Sequence, residues 1–110
     1  MKKMTIVVVK PDMEPEVAEI DNSLAAMQAV VGGHIETVYL PEIGKLILVC
    51  NEEGKNKGLP YNRPLVGGDF IAGDFFITTA KGGDFISLNA KQIATAKKLY
   101  EVVNDIRWRR

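Results

Sequence analysis

The segment Leu46-Ile47-Leu48-Val49-Cys50 is apolar at every position, and Lys45 and Asn51 close it on either side. So short a run forms a strand more readily than a stable helix, and a strand without polar alternation must be covered on both faces. It therefore predicts a central strand with helix packed on one side. Met4 to Val9, rich in β-branched residues and ended by Lys10-Pro11, predicts another buried strand.

The other elements follow from local chemistry. Pro11 to Pro15 makes a polar turn, and Glu16 to Ile20 alternates loosely, as an extended connector or short strand. Asp21, Asn22 and Ser23 offer N-cap oxygens. Leu24, Met27, Val30 and Val31 then recur at helical spacing until Gly32-Gly33 ends the helix. His34 to Leu40 is expected to pair antiparallel with Leu46 to Cys50 across the Pro41 to Gly44 turn. Lys55 to Gly68 carries turn chemistry and no periodic signal, so a long loop is expected there. Asp69 to Ile71, Gly73 to Thr79 and Asp84 to Leu88 should add strands to the same sheet. Gly-Asp-Phe occurs at Gly68, Gly73 and Gly83, spacings that match no repeat unit of about 20 residues or more. Recurring turn chemistry is expected, each Phe entering the core. Asn89 and Gln92 form a capping-box pattern, followed by one apolar face at Ile93, Ala96, Tyr100 and Val103, on a helix expected to reach Asp105. The fold class is thus α+β, a mostly antiparallel sheet of about five strands packed against two helices.

At 110 residues, one domain is expected, with a core at about 4–104 and a basic tail at 105–110. Hydrophobic residues make up 46% and charged residues 25%, the balance of a soluble globular chain. Fourteen basic residues offset fourteen acidic ones, so no global field draws in nucleic acid or anionic membrane. Cys50 is the single cysteine, which excludes an internal disulfide and suits the cytoplasm. The apolar run after Met1-Lys2-Lys3 stops at Lys10-Pro11-Asp12, short of a signal peptide, and no run approaches a membrane span.

A single histidine and a single cysteine scarcely assemble a catalytic triad, a Cys-His pair or a zinc site. His34 is read as structural or solvent-exposed, and Cys50 as a buried, inert thiol. Glu52 and Glu53 are read as a solvated turn, since neighbours in an extended chain point apart. Glu52, Asp69 and Asp74 could ligate magnesium only if folding gathered them. The glycines of Val31-Gly32-Gly33 follow a helix, and those of Leu65-Val66-Gly67-Gly68 are unspecific; neither makes a phosphate loop. Leu59-Pro60-Tyr61-Asn62-Arg63-Pro64 either presents stacking, amide pairing and an anion fork together or is a purely structural loop. Arg107-Trp108-Arg109-Arg110 is read as a solvated end, so nucleic acid is not the expected partner.

Several segments carry a resemblance in one order along the chain. They are Ile20-Asp21-Asn22-Ser23-Leu24, Val31-Gly32-Gly33-His34-Ile35-Glu36, Val49-Cys50-Asn51-Glu52-Glu53-Gly54-Lys55 and Gly58-Leu59-Pro60-Tyr61-Asn62-Arg63. Ile71-Ala72-Gly73-Asp74-Phe75-Phe76-Ile77, and Ser87-Leu88 with Gln92-Ile93, continue the series. Together they resemble a family of short domains of unknown function from phages, mobile elements and low-GC Gram-positive bacteria, over about Met4 to Tyr100. The resemblance implies a mobile-element setting and carries over no catalytic residue or cofactor. In that setting a non-enzymatic binding module is expected, its site built from Asn51, Glu52, Tyr61, Asn62, Arg63 and Asp74. A nucleotide-derived ligand would place phosphate on Arg63 and its base on Tyr61. The alternatives are a small metal-dependent enzyme using Glu52, Glu53, Asp69 or Asp74, and a protein-interaction adaptor with a host-protein partner or a homo-oligomer face.

Overall fold

The apolar runs become the middle of a sheet. In the computed structural model, which describes residues 2–65 and 67–102, β1 (Lys3–Val9) and β4 (Leu46–Asn51) flank β7 (Phe75–Lys81). The order is β2-β1-β7-β4-β3, with β2 (Glu16–Asp21) and β3 (Ile35–Leu40) at the edges and every pairing antiparallel. Every residue of β4 is buried, as its missing alternation requires. β8 (Asp84–Ile86) pairs with the far end of β7 through a turn at Gly82-Gly83, both at positive φ, where glycine avoids the steric cost other residues meet.

Successive strand residues feed two cores. Met4, Ile6, Val49 and Phe76 face α1 (Leu24–Val31), which inserts Met27 and Val31. Val7, Val9, Leu48, Phe75 and Ile77 form the other core, with Ala96 and Tyr100 from the α2 segment (Ala90–Leu99 and its C-cap). Ser23 caps α1 by accepting from the Ala26 N–H at 3.1 Å, and Gly32 ends it at φ +80. Both arms of the capping box exist: Asn89 Oδ1 accepts from Gln92 N at 2.8 Å, and Gln92 Oε1 accepts from Asn89 N at 3.0 Å.

Several expectations are corrected. The stretch expected to be loop contains β5 (Tyr61–Pro64), which pairs with β6 (Phe70–Ala72) as a separate two-stranded sheet, so Asp69 to Ile71 does not extend the main sheet. The Asn62 side chain makes the difference. Its buried Nδ2 donates to Val9 O at 2.9 Å and Gly73 O at 2.8 Å, tying the hairpin to the end of β1 instead of the sheet's edge. Phe75 enters the α2-side core and Phe85 packs against the α1-side core, but Phe70 is 36% exposed. The last helix stops at Leu99, short of Asp105; Tyr100 leaves helical geometry, and Val102 N donates to Glu14 Oε1 at 2.9 Å. Val66, Val103 and the Arg107-Trp108-Arg109-Arg110 segment lie outside the described residues. No helix among the described residues is long and apolar enough to cross a membrane.

Candidate functional site

The described residues do not fully roof the α2-side core. α2 lies over β1, while Val38, Leu40, Ile43 and Leu65 remain partly buried beyond it. A groove of about 860 Å³ opens over them, walled by β3 on one side and by β5 and the end of α2 on the other. Its volume lies in the range of small-molecule sites, and apolar side chains dominate its floor. The charged groups on its rim are mostly acidic. Asp12 stands free of ion pairs among the described residues, Asp69 is bonded to Lys55, and Glu101 lies 3.3 Å from Lys98.

The six residues expected to form the site divide. Tyr61, Asn62 and Arg63 line this groove. Asn51 and Glu52 line a smaller polar cavity of about 210 Å³ behind Val38, Leu65 and Asp69, which both cavities share. Asp74 lines neither and is half-buried in the turn before β7.

Their hydrogen bonds separate the structural from the available. Asn51 is buried, donates to Val31 O at 3.1 Å and accepts from Glu53 N at 2.8 Å, so its amide holds the end of α1 to the turn after β4. Asn62 completes its set by accepting from Arg63 Nη1 at 2.8 Å. Arg63 itself is a clamp for carbonyls. Nε and Nη2 donate to Tyr100 O at 3.1 and 2.9 Å, Nη2 also to Met13 O at 2.7 Å, and Nη1 more weakly to Lys10 O at 3.4 Å. Burial lowers its pKa, opposed by Glu14 and Asp12, yet a guanidinium stays cationic throughout the working range. The clamp joins the β1–β2 turn, β5 and the end of α2.

Tyr61 is different. It is 57% exposed, and its ring tilts against Phe70 with centroids 5.5 Å apart, while Lys55 Nζ sits 4.9 Å from the centre of Phe70. An exposed aromatic pair with a cation at one edge is a stacking surface. Glu52 and Glu53 are exposed in a turn, with Glu52 N donating to the carbonyl of the exposed His34 at 2.8 Å. No three His, Cys, Asp or Glu side chains gather as a metal site among the described residues; Glu52 and Asp69 line the smaller cavity, and Asp74 does not join them.

Cys50 is 5% exposed, and burial pushes its thiol up to about 11, with Glu36 adding to the shift and Lys55 opposing it. Tyr100, edge-on to Phe75 at 5.2 Å, is pushed up to about 12 by burial, with Arg63 pulling back. Both groups ionise more easily in the unfolded chain. Their contribution to stability is therefore full below the unfolded values of 9.0 and 10.0 and is lost as pH rises through about 11 and about 12. The melting midpoint should fall from pH 9 upward, and Cys50→Ala should remove the earlier part of that fall. Identical slopes for the two proteins would show that the thiol is not desolvated.

The groove's apolar floor escapes a sequence reading. Its signal is a surplus: Val38, Leu40, Ile43 and Leu65 together need more cover than one face of a ten-residue helix supplies. Neither a curated protein nor a solved structure matches the chain. A family model does match, over residues 4–101: that of a domain of unknown function (DUF3846).

Proposed function

Because the chain belongs to the DUF3846 family of domains of unknown function, its activity must be argued from its own surface, and we propose that it is a non-enzymatic binding module. The observation that carries this reading is the groove of about 860 Å³, floored by Val38, Leu40, Ile43 and Leu65 and edged by the exposed Tyr61. The ligand has an apolar or aromatic body that covers the floor and stacks on Tyr61. A nucleotide-derived molecule supplies such a body through its base. Its phosphate would not sit on Arg63, whose donors already hold Tyr100, Met13, Lys10 and Asn62. Lys55, whose exposed ion pair with Asp69 of the groove wall is exchanged at little cost, is the cation that would take it. A phage or mobile-element setting, which the resemblance implies, suits a protein that sequesters a signal without consuming it.

Thermal shift against cyclic nucleotides, ADP-ribose derivatives and uncharged aromatic compounds tests this. A true ligand at a hundred times its Kd adds about 2.7 kcal/mol, roughly ten degrees in a domain of this size. Tyr61→Ala should weaken that ligand at least tenfold, and the compound should be recovered unchanged. No stabilisation by any class, or conversion of the compound, would refute the reading.

A further inference from the structure

The two edges of the main sheet are unlike. β2 carries Glu16, Glu19 and Asp21 in its six residues, a charged edge of the kind that discourages further pairing. β3, Ile35-Glu36-Thr37-Val38-Tyr39-Leu40, carries Glu36 as its lone charge and has neither proline nor glycine. Its register with β4 shows which backbone groups are free. His34 lies opposite Glu52, and the Glu52 N–H donates to the His34 carbonyl at 2.8 Å. In an antiparallel ladder the bonded pairs alternate, so Glu36, Val38 and Leu40 direct their backbone groups toward β4. Ile35, Thr37 and Tyr39 direct theirs outward. Among the described residues no strand pairs with that edge, and no other hydrogen bond reaches the outward N–H or C=O of these three.

We propose that the β3 edge pairs with the β3 edge of a second copy of this chain, antiparallel about a twofold axis at Thr37. The side chains are self-complementary in that register. Thr37 meets Thr37 of the second copy, a pair suited to cross-strand hydrogen bonding, and Tyr39, 65% exposed in the single chain, covers Ile35 of the second copy. Glu36 falls opposite Val38, so no carboxylate directly faces another. The same operation on β2 would bring together strands each bearing three carboxylates. Pairing satisfies the outward backbone row and covers Tyr39, and the two sheets become one, with both grooves on the same face. The inference stands on backbone register and strand composition and is independent of the groove's ligand.

Sedimentation equilibrium from about micromolar to hundred-micromolar protein is the test. The wild-type chain should rise from its 12.1 kDa toward twice that mass. Thr37→Pro removes only an outward N–H and leaves the β4 ladder intact, and Tyr39→Lys sets a charge against Ile35 of the second copy. Each should weaken self-association at least tenfold while circular dichroism still shows the folded chain. If Thr37→Pro disturbs the fold, Tyr39→Lys decides. A wild-type protein that stays single at the highest concentration overturns the proposal and leaves the edge to a foreign segment. A dimer unaffected by Tyr39→Lys overturns it too, because the contact must then lie elsewhere.

Discussion

Arg63→Ala should destabilise the protein by about 3 kcal/mol and lower its melting midpoint by roughly 12 °C. The guanidinium is the shared donor for Tyr100 O, Met13 O and the Asn62 side chain, and it reaches Lys10 O as well. Removing it leaves these acceptors, several only partly solvated, without a partner, and the desolvation penalty of each group then falls on the folded state alone. Arg63→Lys should recover less than half of the loss. A single ammonium cannot span the Met13 and Tyr100 carbonyls with the fixed fork of a guanidinium. Urea denaturation measures both variants. A loss below about 1 kcal/mol for Arg63→Ala would mean that the clamp contributes little, and the residue would return to consideration as an anion ligand.

Phe75→Ala and Phe76→Ala should each cost about 4 kcal/mol, enough to unfold a fraction of the molecules of a domain whose total stability is about 5–15 kcal/mol. The residues are adjacent on β7 and fully buried, yet they belong to different cores, Phe75 to the α2 side and Phe76 to the α1 side. Each substitution removes most of an aromatic side chain and leaves a cavity that the surrounding strands cannot close. Val17→Ala, at a position 46% exposed on the edge strand β2, should stay within about 0.5 kcal/mol and serves as the contrast. Urea midpoints with unchanged m-values would confirm the comparison. If either Phe variant lost less than about 1.5 kcal/mol, the corresponding face of β7 would not be core.

These sites differ in how far they could be read in advance. The Phe pair lies in a stretch whose aromatic and β-branched composition announces a strand, and the uninterrupted apolar run of β4 announces its central place. Ser23 with Gly32, and Asn89 with Gln92, mark helix ends because capping is chemistry between residues a few positions apart. The roles of Asn51, Asn62 and Arg63 are another matter. Each is an ordinary polar residue in a turn-rich segment, and each finds at least one decisive partner across a long separation, as Arg63 does at Tyr100 and Met13. A reading by side-chain type sees a ligand-binding fork; the fold supplies carbonyls to it first. The β5–β6 hairpin was hidden for the same reason, because Asn62 anchors it through Val9 and Gly73.

Local pattern was thus sufficient for the α+β class, the antiparallel β3–β4 pair, both helix starts and the inert setting of Cys50, since periodicity, capping and burial of apolar runs act over a few residues. Only the tertiary structure decided that the small sheet stands apart, that Arg63 holds the chain's own carbonyls, and that an apolar groove lies beside Tyr61. Those outcomes depend on which distant groups reach one another first, and hydrogen-bond partners separated by tens of residues leave no periodic trace in the chain.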